Sequence, residues 1–259
     1  MKITKQIAEY YTWGNTCDGW HILKSDSLNV IEEKMPPHTS ELLHCHRKAQ
    51  QVFYILSGIA SFQIKGEFHT LTENESIHIL PQALHRIFNE GKEDLSFLLI
   101  SQPMAQNDRI DIVPYSEERK SHIKILNEEW LTKYFSVEPN DVVQLSNPTE
   151  EIINKGGIIY YAAYNKKIVG TACLLKIDEH TYELGKMAVT DSAQGLGIGN
   201  VLMDYSIQLA KQLGAKSLIL FSNTSLGSAI HLYEKYGFKK IDFEKGHYTR
   251  SNIKMEKVL

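Results

Sequence analysis

The sequence has few cysteines, no excess of basic residues and no long apolar run. Its three cysteines, Cys17, Cys45 and Cys173, lie far apart and form no C-x-x-C pair, which argues against a disulfide framework and against a thiolate zinc knuckle. The 28 lysines and arginines against 31 aspartates and glutamates give a net charge of −3. Nothing in this charge balance points to a nucleic-acid partner.

No segment approaches the roughly eighteen apolar residues of a membrane-spanning helix, and residues 1–10 lack the apolar core of a signal peptide. We therefore expect a cytoplasmic protein with no membrane partner. The 259 residues allow two domains of ordinary size, each with its own core.

The first part of the chain has the pattern of an all-β domain. Between Ser27 and Gln102, short alternating or apolar runs are separated by turn residues, with breaks such as Ser57-Gly58 and Glu90-Gly91. Short strands at such regular spacing predict a sandwich or barrel. A polar connector, Met104–Arg109, then places the domain boundary, giving domains of residues 1–105 and 106–259.

The second part of the chain mixes helical and strand patterns. Apolar residues recur at helical spacing over 117–135, and Pro139 and Pro148 bracket a second short helical stretch. A further helix is expected after residue 199, with Gly214 as its C-terminal stop, and another over 228–236. Strands are predicted over 158–164, 168–175, 183–189, 217–221, 238–243 and 253–255.

Residues Gln194 to Gly199 spell Q-x-x-G-x-G between a predicted strand and a predicted helix. This arrangement directs backbone N–H groups and a helix N-terminus outward, and the glycines let an anion approach the main chain closely. We predict a pyrophosphate site here, with a ligand-free tight turn as the alternative. The order of the glycines does not fit the dinucleotide-binding G-x-G-x-x-G.

Three segments in order, Glu183–Val189, Gln194–Gly199 and Ala229–Phe238, resemble the GCN5-related N-acetyltransferases (GNAT), which bind acetyl-CoA. The resemblance covers residues 110–259 and implies an α+β mixed-sheet acyl-CoA N-acyltransferase fold. It also implies that the backbone of residues 187 and 189 pairs with the pantetheine arm and that the glycine turn holds the pyrophosphate. The cofactor-binding residues so implied are Met187, Ala188, Val189, Gln194, Gly195, Leu196, Gly197, Ile198, Gly199, Asn200 and Asn223.

Two residues are candidates for proton transfer. The resemblance implies that Tyr233 protonates the departing thiolate, and Glu183, at the start of its strand, is predicted to accept the proton of the amine directly or through a water. The alternatives are a core aromatic for Tyr233 and a solvated or salt-bridged strand end for Glu183. In the segment His247–Asn252, Arg250 is a candidate to bind a substrate carboxylate, with a structural salt bridge as its alternative.

In the first domain, His44 and His46 are one residue apart, so on a strand both imidazoles lie on one face. These histidines, Gln51 and Gly58, followed by His85-x3-Asn89, resemble the two motifs of the cupins, which are small jelly-roll β-barrels. The resemblance covers residues 27–102. The metal ligands that it implies are His44, His46, Gln51 and His85.

The cupin-like ligand set departs from the family pattern at Gln51, which stands where the motif has glutamate. Three imidazoles and an amide oxygen form a neutral set, so a divalent iron, nickel, zinc or manganese ion would keep its full charge. The alternative is a metal-free cupin whose histidines are hydrogen-bonded inside a ligand pocket. Cupins also serve as binding and dimerisation modules, and we expect any homodimer to form through this domain.

Together these patterns predict an acetyl-CoA-dependent N-acetyltransferase acting on a small amine-bearing acceptor, with a cupin domain that binds a divalent metal or small ligand. One alternative is a bifunctional protein with a metal-dependent cupin oxygenase or isomerase activity, which Gln51 disfavours. The other is a metabolite sensor whose transferase fold binds the cofactor without catalysis. The sequence leaves amino acids, polyamines, amino sugars and peptide N-termini open as acceptors.

Overall fold

The computed structural model describes residues 2–14, 16–105, 108–243 and 249–259. The chain divides into two compact units, Met1–Asp111 and Ile112–Leu259. The strands are β1 (Glu9–Trp13), β2 (Cys17–Lys24), β3 (Asn29–Met35), β4 (His44–His46), β5 (Gln50–Ser57), β6 (Ala60–Ile64), β7 (Glu67–Leu71), β8 (Ser76–Ile79), β9 (His85–Phe88), β10 (Leu95–Gln102), β11 (Arg109–Pro114), β12 (Ile158–Tyr164), β13 (Lys167–Lys176), β14 (Thr181–Val189), β15 (Ser217–Ser222), β16 (Lys239–Ile241) and β17 (Ile253–Val258). The α-helices are α1 (Ser121–Tyr134), α2 (Pro139–Ser146), α3 (Ile198–Gln212) and α4 (Gly227–Lys235).

The division between the units lies within β11. Arg109, Ile110 and Asp111 pair antiparallel with His46, Cys45 and His44 of β4, so hydrogen bonding draws these residues into the first unit. That unit therefore ends at Asp111 rather than at the predicted residue 105. The polar connector in the sequence precedes the last strand segment of the first unit.

The first unit is all β, as predicted. One sheet has the order β1-β2-β3-β10-β5-β8, and in the other the start of β11 is followed by β4, β9, β6 and β7. Alternate residues of β3 are buried, from Asn29 to Met35, which is the pattern of a strand with one face on a core. Apolar side chains from both sheets form that core, among them Phe53, Phe62 and Phe97.

The hairpin of β1 and β2 was not predicted from the sequence. Tyr11 pairs with Gly19, and Gly19 pairs with Glu33, so the three residues form a row across three strands. A Cβ on Gly19 would lie 2.4 Å from Cζ of Tyr11, so only glycine leaves room for the Tyr11 ring to lie across β2. In this position the Tyr11 hydroxyl donates a hydrogen bond to Glu33 Oε1 at 2.5 Å. Burial, partly offset by this hydrogen bond, raises the pKa of Glu33 to about 8, which keeps the carboxyl mostly protonated at pH 7.

The second unit contains a mixed sheet in the order β16-β17-β15-β14-β13-β12. β14 and β15 are parallel, and the other pairs are antiparallel. The helix α3 packs on β13 at Gly170, where a Cβ would lie 2.8 Å from Cγ2 of Ile198. The predicted α+β class is confirmed, and no helix within the described ranges is long and apolar enough to cross a membrane.

Candidate functional site

A cavity of about 840 Å³ opens in the second unit where β14 and β15 separate. The two strands pair in parallel from Thr181 with Ser217 to Glu183 with Ile219. Beyond Glu183, β14 continues to pair with β13 up to Val189, but the described residues include no further pair with β15. Residues 184–189 therefore present an unpaired strand edge to the cavity.

A bulge at Lys186 bends β14 beside the cavity. Gly185 pairs with Cys173 and Ala188 with Thr171, so β14 carries one extra residue there, and Lys186 takes the left-handed φ of 50°. The buried amide of Asn127 donates to the carbonyl of Lys186 at 3.2 Å. A bulge re-aims the backbone groups that follow it, here those of residues 187–189.

The glycine turn forms the second wall of the cavity. Gly195 and Gly197 have φ values of 75° and 84°, and no atom lies within 4 Å of a Cβ built at either position. Gly197 is the N-cap of α3, and the first N–H groups of a helix have no partner within the helix. These donors and the positive end of the helix dipole make this turn suited to an anion.

The helix α4 lies against the first turn of α3. Lys235 donates to Oδ1 of Asn200 at 2.7 Å, and the Tyr236 hydroxyl donates to the Asn200 carbonyl at 3.2 Å. On the same helix, Tyr233 lines the cavity and its hydroxyl is hydrogen-bonded to Ser222. Burial raises the pKa of Tyr233 to about 12, with the Ser222 hydrogen bond acting in the opposite direction, so this hydroxyl keeps its proton at neutral pH.

Glu183 lies at the point where the two strands part. Its side chain lines the cavity, and the residue is only 3% exposed. The Cys173 thiol is close enough to sense the charge of Glu183. Burial raises the pKa of this thiol to about 12, the charge of Lys186 lowers that pKa, and the charge of Glu183 raises it further. Glu183 is a buried carboxyl that lines the cavity beside the parting strands.

A buried ion-pair network borders the cavity through Lys186 and Arg250, which line it. Asp141 of α2 is fully buried and accepts from Lys186 Nζ at 3.0 Å and from Arg250 at 2.5 and 3.1 Å. Burial alone would raise the pKa of Asp141, but the hydrogen bonds and charges of Arg250 and Lys186 outweigh it and lower the pKa. Sequence reasoning missed Asp141 and Lys186, since the partners of Asp141 lie 45 and 109 residues away along the chain.

Arg250, considered from the sequence either as a ligand for a substrate carboxylate or as part of a structural salt bridge, forms a salt bridge with Asp141. The residue also lines the cavity. Asn223 donates to the Arg250 carbonyl at 2.6 Å and accepts from the Ser225 amide at 2.9 Å. Its amide therefore holds two loop segments together. His247 and Tyr248, named with Arg250 from the sequence, lie outside the described residues.

The structure brings nearly all the sequence-predicted transferase residues to this one cavity. Leu196 is not among its lining residues, and Gln194 is exposed, with its amide donating to Asp191 at 2.7 Å. The predicted residues that line the cavity are Glu183, Met187, Ala188, Val189, Gln194, Gly195, Gly197, Ile198, Gly199, Asn200, Asn223 and Tyr233.

In the first unit, the predicted metal ligands are also brought together. His44 and His46 lie on β4, His85 lies opposite His44 on β9, and ligand nitrogens of the three imidazoles lie within 4.8 Å of one another. Gln51 of β5 places Oε1 at 2.9 Å from Nε2 of His85. All four residues are buried.

The hydrogen bonds of the histidines define which nitrogens face the centre. Nδ1 of His44 lies 2.9 Å from the Leu42 carbonyl, and Nδ1 of His85 lies 2.8 Å from the Ala83 carbonyl. Each Nδ1 therefore carries the proton and each Nε2 carries a lone pair. The lone pairs of His85 Nε2 and Gln51 Oε1 then point toward each other and repel, and a cation bound to both atoms would remove this repulsion. The residues fit a metal ion in this respect.

The three imidazoles are held neutral, as metal ligation requires. Burial is the main cause in each case: it lowers the pKa of His46 to about 3 and of His85 to about 4, and takes the pKa of His44 well below its usual value. The positive charge of Arg109 acts in the same direction on all three. Nδ1 of His46 is buried without a hydrogen-bond partner in the described part of the chain, although the Ala105 backbone partly offsets the pKa shift of this ring.

Comparisons with known proteins match each of the two units to a family. The model of the acetyltransferase (GNAT) family matches residues 122–238, and that of the cupin domain matches residues 31–101. The chain is 31% identical over 115 residues to the uncharacterized N-acetyltransferase YvbK of Bacillus subtilis, covering 42% of this chain and 74% of that protein. It is 28% identical over 115 residues to N-acetyltransferase family 8 member 2 of Rattus norvegicus, covering 42% and 49% of the two chains.

Among solved structures, an acetyltransferase of the GNAT family from Staphylococcus aureus Mu50 matches with a TM-score of 0.53 and 24% identity, over 57% of this chain and 98% of that one. This likeness shows the fold of the second unit. With the matched family models and the similarity to YvbK, the chain belongs to the GNAT acetyltransferase family and carries a cupin domain ahead of the transferase domain.

Proposed function

We propose that the second unit transfers the acetyl group of acetyl-CoA to the amine of a small molecule. The observation that carries this proposal is the convergence on one cavity of an anion-binding helix N-terminus, an unpaired strand edge, a protonated tyrosine and a buried carboxyl. Acetyl transfer to an amine uses each of these features. A sensor without catalysis needs only the first two.

The cavity residues divide into those that hold the donor and those that move protons. The N–H groups of the glycine turn and of the first turn of α3 bind the pyrophosphate, and the strand edge 187–189 pairs with the pantetheine arm. Acetyl-CoA supplies the activated acetyl thioester. Glu183 accepts the proton of the acceptor ammonium, and Tyr233 donates its hydroxyl proton to the thiolate that leaves.

Thermal denaturation with acetyl-CoA tests the donor site. A ligand that binds only the native state at 100 times its Kd stabilises that state by about 2.7 kcal/mol, so we expect acetyl-CoA to raise the melting temperature and acetyl-pantetheine, which lacks the pyrophosphate, to raise it less. Thiol release on adding amines then tests transfer. No shift at millimolar acetyl-CoA would overturn the proposal.

We also propose that the cupin unit binds a divalent metal, with His44, His46, His85 and Gln51 as its ligands. Support comes from the three buried, neutral imidazoles and from the opposed lone pairs of His85 and Gln51. Iron, nickel, zinc and manganese all accept imidazole and amide oxygen donors. Because the ligand set is neutral, the bound ion keeps its positive charge and supplies Lewis-acid chemistry at that place.

Replacing a histidine of the triad tests the metal site. We expect His85→Ala to weaken metal binding at least 100-fold, because even the loss of a hydrogen-bond partner of a ligand costs about 10- to 100-fold. Competition with a chromogenic chelator measures this affinity. His69→Ala, on the exposed strand β7, is the matched control and should leave it unchanged. Equal metal binding by the two variants would refute the site.

A further inference from the structure

We propose that Glu129 of α1 is a positioning residue for the donor, because its carboxylate fixes the chain where it passes from β14 into the glycine turn. The proposal rests on the proposed binding of acetyl-CoA in the cavity, and it adds a residue that is not among the described residues lining that cavity. It is argued from the hydrogen bonds that join α1 to Thr190 and Asp191.

One carboxylate oxygen of Glu129 holds two consecutive residues. Its Oε1 accepts from the Thr190 hydroxyl at 2.8 Å and from the Asp191 N–H at 2.9 Å. Thr190 directly follows β14, and its own N–H donates to the Val169 carbonyl at 2.9 Å. Hydrogen bonds to a carboxylate are about twice as strong as those between neutral groups. Glu129 therefore fixes the point at which the chain leaves the sheet.

A short series of hydrogen bonds continues from this point to the glycine turn. The Ala193 N–H donates to the Thr190 carbonyl at 2.9 Å, and the Gln194 N–H donates to the Asp191 carbonyl at 3.2 Å. The Gln194 side chain also donates to Asp191 Oδ1 at 2.7 Å, and the Leu196 N–H donates to the Ala193 carbonyl at 3.4 Å. Since each bond spans three residues or fewer, a displacement of Thr190 and Asp191 passes directly into the turn.

Lys133 makes a second contact between α1 and this segment. It lies one helical turn after Glu129, and its Nζ is 2.7 Å from Asp191 Oδ2. The side chains of Lys133 and Asp191 are 44% and 53% exposed, and ion pairs so exposed to water contribute little. The partly buried Glu129, which bonds the main chain itself, is therefore the residue to which we assign the positioning role.

The same helix also holds the strand edge proposed to pair with the pantetheine arm. The buried amide of Asn127 donates to the Lys186 carbonyl at 3.2 Å and to the Ile123 carbonyl within α1 at 2.8 Å. Asn127 thus bonds the bulge ahead of residues 187–189, and Glu129 bonds the segment ahead of the glycine turn. Because both residues belong to one helix, α1 sets the spacing between the two parts of the donor site, and such preorganisation increases affinity.

Replacing Glu129 with alanine tests this role through two ligands. We expect Glu129→Ala to weaken acetyl-CoA binding about tenfold, because the N–H groups of the turn are then less well ordered before binding. Acetyl-pantetheine lacks the pyrophosphate, so its affinity should equal that for the wild-type protein. Isothermal titration calorimetry measures both affinities. A merely structural role would not change one ligand and spare the other.

Matched variants separate the contact from charge and from folding. Glu128→Ala makes the same change one residue earlier, where the carboxylate lies 3.8 Å from Lys124 Nζ within α1, and it should leave both affinities unchanged. Glu129→Gln keeps an oxygen acceptor and should retain most of the acetyl-CoA affinity. If Glu129→Ala does not fold, Thr190→Val, which removes the hydroxyl donor alone, should weaken acetyl-CoA binding about threefold and again spare acetyl-pantetheine.

Asn127→Ala should give the opposite ligand pattern. It frees the Lys186 carbonyl at the bulge, and the strand edge that follows is proposed to pair with the part that both ligands share. We therefore expect acetyl-CoA and acetyl-pantetheine to lose affinity by a similar factor.

Two failures are distinguishable. If the wild-type protein binds acetyl-CoA and both Glu129→Ala and Thr190→Val bind it equally well, or if these variants weaken the two ligands by the same factor, the positioning role of Glu129 is overturned and the donor site stands. If the wild-type protein does not bind acetyl-CoA, the proposed function itself is overturned.

Discussion

Replacing Tyr233 with phenylalanine is expected to lower kcat for acetyl transfer at least 100-fold, with little change in the Kd for acetyl-CoA. The ring remains to pack beside Phe238, at a centroid distance of 6.2 Å, and only the proton donor is lost. Proton transfer by a positioned side chain contributes typically 10²- to 10⁴-fold to a rate. Initial rates of thiol release and acetyl-CoA titration measure the two quantities separately.

The pH profile adds a second readout for Tyr233. Because its pKa is raised to about 12, the donor form persists throughout the neutral range, and wild-type kcat should not fall through ionisation of this group below about pH 10. Tyr115→Phe is the matched control: it removes a hydroxyl bonded to Thr149 at 2.8 Å in the same unit, and this residue does not line the cavity. If Tyr233→Phe keeps half of the wild-type kcat, another group supplies the proton.

Substituting alanine for Gly197 is expected to weaken acetyl-CoA binding about 10- to 100-fold. The φ of 84° strains any residue with a Cβ, and the new methyl group would project into the open space beside the turn that is proposed to hold the pyrophosphate. Loss of one hydrogen bond to a charged group costs roughly 1.5–3 kcal/mol, which sets this range. Calorimetric titration with acetyl-CoA gives the affinity.

Gly214→Ala provides the control for strain in the Gly197 experiment. Gly214 lies just beyond the other end of the same helix, with a φ of 77° and no atom within 4 Å of the Cβ position. Left-handed backbone costs roughly 1–2 kcal/mol for a residue with a side chain, so both variants should melt earlier by similar amounts. Only the Gly197 variant should lose acetyl-CoA affinity; equal affinities would show that the turn does not hold the pyrophosphate.

The parts of the transferase site that depend on local sequence could be predicted. The residues from Gln194 to Gly199 set their own backbone geometry through glycines, and the helix that follows begins at Ile198. The strand with Glu183 and the helix with Tyr233 could be located from the spacing of apolar residues and from the family resemblance. The structure places these three segments around one cavity.

Contacts between residues distant in sequence could not be predicted from one sequence. Asp141 belongs to a short helix with ordinary composition, and nothing local to it indicates that Lys186 and Arg250 converge on its carboxylate. The bulge at Lys186 also has no local signal, because lysine rarely takes a positive φ. Trp130 and Tyr134, which line the cavity, likewise had the sequence pattern of a packed amphipathic helix.

The first strands of the cupin unit also contain a contact that could not be predicted from the sequence. A glycine such as Gly19 weakens the strand pattern of β2, because it has no side chain to pack. In the structure the Tyr11 ring of the neighbouring strand fills the place of that missing side chain. The spacing of His44 and His46, by contrast, was sufficient to predict that they share a face. The resemblance to the cupin motifs predicted that His85 lies close to these two histidines, and the structure places the three imidazoles together.

The parting of β14 from β15 leaves the transferase sheet with an internal seam. From residue 184 onward β14 pairs with β13, while β15 pairs with β17 on its other side. Within the described ranges, no strand covers the amides along the seam between them. A donor molecule bound as proposed would complete the sheet there as an inserted strand would. Under the proposed function, bound acetyl-CoA would therefore cover a sheet edge that is otherwise open to pairing with other chains.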